Sequence, residues 1–492
     1  MSANEIKQHL KQYAYFRSCL RLLSWDMESK MPGNAIKDRS KSLAFIQGKM
    51  HQHMTCAKYD KMLKSFIAAK GLSKKEARLG QELRWDFNLS KALPGDFVEE
   101  MAEVSSLSNH AWIKARKENS WKAFLPHLQK MINIKRQEIE YLRSKDKNNI
   151  FKTPYDALLM QFDKEFDSHS ITKIFAELKS GLSNSLRKIE KKPHFRSPPS
   201  AIGVFPIPAQ EQLDHHLAKL VGLKEGHYRL DTSTHPFSTN ISPLDQRITT
   251  RYQDDCLSSF FTTLHEAGHA LYESNLPANW EGTPFQEAIS FSVHESQSRF
   301  WENIVGRSFE FCQYILPTLQ SYFPTNYKGM TAQKLFYHFN HTEAGLIRVD
   351  SCEAYYNLHV IVRFEIEEMI FNQGLNAKDI PGIWKQKYQN YLGISATEDR
   401  HGPMQDGHWA SGAFGYFPSY ALGNLISAQL LNLLKKHNPS YKEQIRQGDF
   451  AQIRNFLKQK IHRYGREKNI QEIVGKLSAA PFLQYLDAKF EA

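Results

Sequence analysis

The sequence predicts a mainly α-helical protein with one small antiparallel β-sheet. Apolar residues recur at three- and four-residue spacing through most of the 492 residues, which is the periodicity of amphipathic helices. Proline and glycine interrupt this pattern at intervals and mark the ends of helices. Only residues 227–253 combine Thr, Ser, Ile and Tyr with turn residues, a composition that favours short strands.

The composition is that of an ordinary globular protein, with 41% hydrophobic and 24% charged residues. The net charge is +12, but no block of five or six like charges occurs. We therefore expect a solvated surface and no nucleic-acid partner. The chain has no run of about 18 apolar residues and no signal-peptide pattern at its start, so we expect no membrane partner.

The five cysteines are odd in number, far apart and without a C-x-x-C pair. This usage is typical of proteins in a reducing compartment. Together with the expected lack of a signal peptide, it predicts a cytoplasmic location.

The first third of the chain predicts helices only. Helical spacing runs from Tyr13 to Leu23, and after Pro32 and Gly33 it resumes and continues to Met54. The next helices are expected at residues 74–90, 96–117, 121–144 and, after a break at Pro154, 171–191.

The character of the chain changes after residue 192. The segment KKPHFRSPPSAIGVFPIPAQEQ carries five prolines, which resist helix formation and favour extended or turn structure. A short helix over residues 209–221 precedes the strand region. We expect that region to form a small antiparallel sheet just before the next helix.

That helix is FFTTLHEAGHALYE, residues 260–273, where His265, Glu266 and His269 form the pattern H-E-x-x-H. Positions four apart lie nearly above one another on a helix, so both imidazoles can reach one metal ion. Neutral imidazole suits zinc, which lowers the pKa of its bound water, and Glu266 stands beside that water to accept the proton. Gly268 has no side chain, so another segment of the protein can pack closely against the helix at this position. The pattern predicts metal-assisted hydrolysis, whereas two core histidines and a surface glutamate are the alternative.

A third metal ligand should lie downstream on another helix. Glu295, within FSVHESQSRFWEN at residues 291–303, is the leading candidate because a glutamate on a half-apolar helix needs a partner. Glu287 and Glu302 compete with it. A connection of this length fixes little, so spacing alone does not choose among the three.

The remainder of the chain returns to helical periodicity. It continues to Tyr314, and residues 340–373 predict one long helical stretch that includes Arg348. Residues 401–424 hold five glycines and four Phe or Tyr rings, which predict a structured loop lining a cleft or, alternatively, a packed aromatic turn. The tail from Leu425 predicts helices with solvated charges.

Five short motifs stand in order along the chain. They are H-P-F at 235–237, D-x-R-x-T at 245–249, H-E-x-x-H at 265–269, H-E-S-Q at 294–297 and G-x-x-Q-D-x-H-W at 402–409. Together with LLSWDMESKMP near the start and IHRYGRE near the end, they make the chain resemble the carboxypeptidase Taq family of zinc metallocarboxypeptidases over nearly its whole length.

The resemblance implies a large helical single-body metallopeptidase with a deep substrate cleft. It implies a homodimer with one divalent metal per chain, usually Zn²⁺, for which we expect Co²⁺ to substitute, and removal of C-terminal residues from peptides with broad specificity. It also implies Glu295 as the third ligand and Glu266 as the base. We expect one peptidase domain over 1–492, comprising an N-terminal helical part (1–192), the Pro-rich crossing and sheet (193–253), a metal-binding and cleft part (254–424) and C-terminal helices (425–492).

Further roles follow from the chemistry that such a reaction needs. The developing oxyanion needs hydrogen-bond donors, for which we assign His408 and Tyr420, with Tyr416 as the alternative to Tyr420. Arg348 is the candidate for recognising the terminal carboxylate, since a buried arginine can pair with a carboxylate through two hydrogen bonds. An ion pair of Arg348 with Glu343 or Asp350 is the structural alternative.

His235 and Arg247 belong to the sheet region. We expect them to line the cleft or to hold the helix of H-E-x-x-H in place. Arg247 also has a claim to the terminal carboxylate, with Asp245 as its internal partner.

One motif departs from the family pattern. The family's I-R-x-x-A-D appears here with Ser351 and Cys352 in place of Ala-Asp. A thiol cannot supply a carboxylate's two charged acceptor oxygens, so activity is weakened if that aspartate anchors a neighbour in the cleft. Two alternative functions stand beside the carboxypeptidase. One is a related zinc endopeptidase, because the same metal site serves both activities, and the other, motivated by Cys352, is a catalytically weakened metal-binding descendant.

Overall fold

Helices carry most of the chain, as the apolar spacing predicts. The computed structural model describes residues 3–491 and contains twenty-one α-helices and three strands in that range. Ten helices precede the sheet: α1 (Ala3–Ser29), α2 (Ile36–Thr55), α3 (Ala57–Ile67), α4 (Lys74–Ala92), α5 (Gly95–Glu118), α6 (Trp121–Lys145), α7 (Asp156–Leu159), α8 (Ser168–Ile189), α9 (Pro193–Arg196) and α10 (Ile207–Val221).

The helices of the first third begin and end where local chemistry dictates. Ser73 caps α4 in a capping box with Glu76, and the Ser120 side chain accepts from the backbone of Ala123 at the start of α6. Asn119 ends α5 in the left-handed conformation, with φ of 51°. The predicted helices at 74–90, 96–117, 121–144 and 171–191 are confirmed to within three residues at each end.

The sheet has three strands, β1 (Tyr228–Thr232), β2 (Ser238–Ser242) and β3 (Asp245–Thr250), in the order β1-β3-β2. The tight connection through residues 243–244 makes β2 and β3 antiparallel, but β1 and β3 are parallel. An all-antiparallel sheet was expected, and the difference arises because β3 inserts between β1 and β2.

Thr249 of β3 holds the chain that crosses from β1 to β2. Its hydroxyl accepts from Ser233 Oγ at 2.7 Å and from the Phe237 backbone N–H at 2.9 Å. The motifs H-P-F and D-x-R-x-T are thereby joined in one local structure.

The sheet lies between the first helix and the helix that carries H-E-x-x-H. From one side, Ser18 Oγ donates to the Ile241 carbonyl and Arg21 Nη1 to the Asn240 carbonyl, both at 2.8 Å. Toward the other side, Asn240 Nδ2 donates to Glu273 Oε2 at 2.8 Å. The predicted location of the sheet beside that helix is confirmed.

The helices after the sheet form the rest of the body. They are α11 (Ser258–Ser274), α12 (Phe291–Arg299) with a π-helical continuation (Phe300–Val305), α13 (Phe309–Tyr322), α14 (Ala332–Phe339), α15 (Glu353–Asn372), α16 (Ile380–Leu392), α17 (Phe417–His437), α18 (Tyr441–Gln447), α19 (Ala451–Leu457) with a π-helical continuation (Lys458–His462), α20 (Ile470–Val474) and α21 (Ala480–Glu491).

Two segments differ from the sequence prediction. Residues 340–352 are irregular instead of opening a long helix, because distant partners take their backbone N–H groups: that of Thr342 donates to the Phe195 carbonyl and that of Arg348 to Gln405 Oε1, both at 2.8 Å. The loop expected over 401–424 ends earlier, since α17 begins at Phe417 and places Tyr420 in its first turn.

One large apolar core extends from α4 to α21 and takes in Ile248 of β3. A second, smaller core joins α1 to α4 and includes Phe285. The helix of H-E-x-x-H, α11, packs into the large core. Within residues 3–491 no helix combines the length and the apolar character needed to cross a membrane.

Candidate metal centre and active site

The centre is built where α12 packs between α11 and α17, and a glycine on each flanking helix permits the contact. A Cβ at Gly268 of α11 would lie 2.7 Å from the Gln297 carbonyl oxygen. A Cβ at Gly423 of α17 would lie 2.7 Å from Glu295 Cγ. A larger side chain at Gly268 would force α12 away from α11, and one at Gly423 would force α12 away from α17, so either would displace Glu295.

Three side chains from α11 and α12 converge on one point. The Nε2 atoms of His265 and His269 lie 3.6 and 3.4 Å from Glu295 Oε2, and the potential ligand atoms of the three residues all lie within 4.8 Å of one another. Tetrahedral ligands at the usual zinc distances are separated by about 3.3–3.4 Å. Both distances to Glu295 are close to this value, and the donor set of two imidazoles and a carboxylate is one that zinc accepts, so the trio fits a zinc ion.

The two other glutamates considered as ligands lie elsewhere. Glu302 Oε2 accepts from His265 Nδ1 at 2.8 Å, behind the ring rather than at its free nitrogen. Glu287 pairs with Arg17 and Arg466, and Arg466 Nη1 lies 3.1 Å from its Oε2. Glu302 thus orients one of the candidate ligands, and Glu287 belongs to a separate ion-pair network.

His294 and Gln297, the first and last residues of the H-E-S-Q motif, support the same cluster. The His294 ring stacks on His269 with 4.2 Å between centroids, and its Nε2 lies 3.1 Å from Glu273 Oε1. Gln297 Oε1 lies 3.0 Å from His462 Nε2 and so ties α12 to the π-helical segment after α19.

Glu266 is enclosed beside the ligands with 6% of its surface exposed. Burial raises the pKa of its carboxyl to about 7, and the neighbouring carboxylate of Glu295 adds to the effect. Burial and the adjacent His294 lower the pKa of His269 to about 3. His269 is therefore neutral near pH 7, which is the form that binds a metal.

The residues assigned to the aromatic loop also come together. His408 Nε2 and the Tyr420 hydroxyl are 3.0 Å apart, within a hydrogen bond. The Tyr416 and Tyr420 rings meet edge to face at 5.1 Å. Burial raises the pKa of both tyrosines, and the charge of Glu295 adds to it, so both hydroxyls stay protonated near neutral pH.

Arg348 is 4% exposed and is bound from two sides. Its Nε and Nη2 donate to Asp406 Oδ1 at 3.2 and 2.7 Å, and its Nη1 donates to the Tyr356 hydroxyl at 2.7 Å. The two acids named as alternative partners, Glu343 and Asp350, make none of these hydrogen bonds.

A second arginine shares the same carboxylate. Arg363 donates from Nε and Nη2 to Asp406 Oδ2 at 2.8 and 2.6 Å. The two arginines therefore leave one positive charge uncompensated, and the Arg348 guanidinium lies 4.6 Å from the centre of the Tyr420 ring. This surplus charge is what a bound carboxylate would neutralise.

His235 and Arg247 lie at the sheet rather than at the metal ligands. Arg247 Nη2 donates to Asp245 Oδ2 at 2.8 Å and the guanidinium stacks on Trp25 of α1 at 4.8 Å. The exposed His235 ring packs against Trp112 of α5 at 6.1 Å. Among the contacts described for residues 3–491, no hydrogen bond or ion pair joins either residue to the three ligands.

Cys352 occupies the N-cap position of α15 and makes no side-chain cap hydrogen bond. Its thiol points instead to the Glu343 carbonyl at 3.6 Å. An aspartate is among the favoured N-cap residues, so the departure from the family pattern removes a helix cap.

Sequence reasoning missed three residues at the site: Arg299, Tyr356 and Arg363. Arg299 stands four positions after Glu295, and that spacing on a helix is a signal for an ion pair. Arg363 lies in the apolar run NLHVIVRF, where a charge requires a buried partner. Tyr356 carried no comparable signal, since its role depends on the distant Arg348.

A largely enclosed His-His-Glu trio on two packed helices, with a glutamate next to the first histidine, is the arrangement of a metal-dependent hydrolase. The family model described as carboxypeptidase Taq (M32) metallopeptidase matches residues 5–490. This chain belongs to that family and is a metallocarboxypeptidase.

Named carboxypeptidases align with nearly the whole of this chain and support the assignment. Thermostable carboxypeptidase 1 of Thermus thermophilus is 33% identical, over 98% of this chain and 97% of its own. Carboxypeptidase 1 of Bacillus subtilis is 30% identical, over 98% and 96%. The crystal structure of an M32 carboxypeptidase from Deinococcus radiodurans matches with a TM-score of 0.93 and 32% identity, covering 99% of this chain and 98% of that one.

Proposed function

We propose that this enzyme is zinc-dependent and releases C-terminal amino acids, with broad specificity, from peptides that have a free C-terminus. The convergence of His265, His269 and Glu295 with the enclosed Glu266 beside them is the observation that carries the proposal. We propose one Zn²⁺ per chain, with Co²⁺ able to replace it. Both ions accept imidazole and carboxylate ligands.

Glu266 is proposed as the general base. A zinc ion held by the trio would polarise the scissile carbonyl and lower the pKa of the attacking water. The Glu266 carboxylate takes the proton from that water and then delivers it to the leaving amine. Burial raises the pKa of this carboxyl to about 7, and the positive charge of a bound zinc ion would act against that rise and favour the carboxylate form that accepts the proton.

His408 and Tyr420 are proposed to stabilise the developing oxyanion. In the tautomer that carries the proton on Nε2, His408 donates to the Tyr420 oxygen. The Tyr420 O–H, which its raised pKa keeps protonated, is then free to donate to the oxyanion. Tyr416 remains the alternative because its ring packs directly against that of Tyr420.

Arg348 is proposed to recognise the terminal carboxylate. Three of its five N–H donors are used by Asp406 and Tyr356, so two remain for a substrate. The surplus charge of the Arg348–Arg363 pair over Asp406 favours an anion at this place. We propose that His235 and Arg247 act less directly, by shaping the substrate-binding wall next to α5 and α1.

We further propose that the enzyme is a cytoplasmic homodimer that binds neither nucleic acid nor membrane. The five cysteines are free, as a reducing compartment allows. Light scattering of the purified protein at two concentrations would test the dimer.

Mass spectrometry of a mixed peptide set tests the activity, with each peptide present in a free and a C-terminally amidated form. Zinc-loaded enzyme is expected to produce single-residue ladders from the free ends only. Internal cuts in both forms would instead establish an endopeptidase. The absence of cuts with zinc and with cobalt would establish a catalytically weakened descendant.

A further inference from the structure

Arg299 lies directly behind the candidate metal ligands and contacts two carboxylates at once. Its Nε donates to Glu295 Oε1 at 2.7 Å, and its Nη1 donates to Glu302 Oε2 at 3.1 Å. The side chain is 11% exposed, so these interactions are formed largely out of water and are correspondingly strong.

The contact with Glu295 determines which of its oxygens faces the histidines. With Oε1 bound by Arg299, Oε2 is the atom directed at the two imidazole Nε2 nitrogens. Ser298 Oγ also approaches Oε2, at 3.2 Å, but its shorter hydrogen bond of 2.6 Å goes to the Glu295 carbonyl. Without Arg299, rotation about the last side-chain bond would present either oxygen, or both, to a metal ion.

The contact with Glu302 acts on the first histidine. Glu302 Oε2 accepts from His265 Nδ1 at 2.8 Å and from Arg299. A hydrogen bond at Nδ1 fixes the tautomer whose Nε2 carries the free lone pair. Arg299 therefore supports one ligand directly and a second ligand through Glu302.

The Arg299 guanidinium is itself held in place by the Tyr356 ring, which packs against its flat face. It lies 4.1 Å from the centre of the Tyr356 ring, within cation–π distance. The Tyr356 hydroxyl accepts from Arg348, so the ring is fixed at both its face and its tip.

We propose that Arg299 is the positioning residue of the metal centre, setting Glu295 to bind through Oε2 alone and His265 to bind through Nε2. The inference rests on the proposed zinc site. It assigns to Arg299 no contact with substrate or with the reacting atoms.

Zinc affinity, measured by competition with a chromophoric chelator, tests the proposal. Arg299→Met removes the charge and both hydrogen bonds while keeping the length of the side chain. It should weaken zinc binding about 10–100-fold, the usual effect of losing support behind a metal ligand. Arg299→Lys keeps the charge but cannot form the two-pronged contact, so an intermediate loss is expected.

Arg466→Met is the matched control. Arg466 has 12% of its side chain exposed and bonds to three carboxylates, Glu82, Asp86 and Glu287, none of which belongs to the trio of His265, His269 and Glu295. It should lower the melting temperature while leaving the zinc dissociation constant unchanged. Equal weakening in Arg466→Met and Arg299→Met would show a general loss of stability and overturn the proposal.

The visible absorption of the cobalt-loaded protein supplies a second readout. Its intensity reports the coordination number, which rises if Glu295 binds through both oxygens. We expect a weaker band in both Arg299 variants and an unchanged band in Arg466→Met. Wild-type zinc affinity and an unchanged band in Arg299→Lys or Arg299→Met would contradict the positioning role. A wild-type protein that binds no zinc would instead overturn the proposed function.

Discussion

The two halves of the site carry opposite charge. On the α11–α12 side, the carboxylates of Glu266, Glu295 and Glu302 outnumber the nearby arginines, Arg299 and Arg307. On the α15 side, Arg348 and Arg363 share the single carboxylate of Asp406. The first half fits a cation, and the second half carries the positive charge that supports the proposed binding of a terminal carboxylate.

The halves meet at Tyr356 of α15. Its ring lies under Arg299 and its hydroxyl accepts from Arg348, so one neutral side chain separates the two charged clusters. A peptide substrate offers the matching pattern, since its scissile carbonyl needs a cation and its terminal carboxylate also needs positive charge nearby. In the proposed function, a metal ion held by the first half would act on the scissile carbonyl and the second half would bind the terminal carboxylate, which would place cleavage next to the chain end.

Replacement of Glu266, the proposed base, should have the largest effect, and it tests the negatively charged half of the site on α11 and α12. Glu266→Gln is expected to lower kcat by about 10²–10⁴-fold, because proton transfer is lost while the ligands are intact. Metal analysis of the purified variant should still find one zinc per chain. Full turnover in a sample free of wild-type enzyme would remove Glu266 from its role.

Replacement of Arg348 tests the positive half. A hydrogen-bonded charge pair contributes about 1.5–3 kcal/mol, so Arg348→Ala should lower kcat/KM for free-ended peptides about 10–100-fold. Because amidated peptides lack the charge, the preference for free over amidated ends should fall with it.

Arg247→Ala provides the comparison for this experiment, since Arg247 also pairs with an aspartate. An unchanged free-to-amidated ratio in Arg348→Ala, with a collapsed ratio in Arg247→Ala, would move the recognition of the chain end to the sheet.

The close packing of α12 against α17 depends on Gly423, which faces Glu295 from the helix that also carries Tyr420. Gly423→Ala places a methyl group 2.7 Å from Glu295 Cγ, and overpacking of this kind costs about 1–3 kcal/mol. Thermal unfolding should show the loss, and zinc affinity should fall with it. Gly382→Ala in α16, where the added methyl meets nothing within 4 Å, should be neutral or stabilising; equal losses in both variants would refute the argument.

Local patterns carried much of the fold prediction. Helices with strong apolar periodicity and clear caps, such as α4 with Ser73 and Glu76, appear where the sequence places them. The failures share one cause, which is tertiary override of local preference. Residues 340–352 have helical spacing, but Gln405 and Phe195 take the backbone N–H groups that a helix would need.

The site divides in the same way. His265, Glu266 and His269 could be read from one helix turn, because their relation is local. The partners of Arg348 could not, since Asp406 and Tyr356 lie 58 and 8 residues away along the chain. Both named alternatives, Glu343 and Asp350, were close in sequence, whereas the fold supplied a partner from a different segment.

The smallest effect is expected at Cys352. Restoring the family's aspartate there tests how firmly α15 holds the side of the site that contains Arg348 and Arg363. Cys352 occupies the N-cap position of α15, the helix that carries Tyr356 and Arg363, and its side chain makes no cap hydrogen bond. An aspartate there can accept from the first backbone N–H groups and complement the helix dipole, which contributes about 0.5–2 kcal/mol. Cys352→Asp should therefore raise the melting temperature, with kcat/KM and zinc affinity close to wild type. Cys352→Ala, which also lacks a cap, should match the parent in stability, and a large rise in activity of Cys352→Asp without a gain in stability would place the carboxylate in catalysis instead.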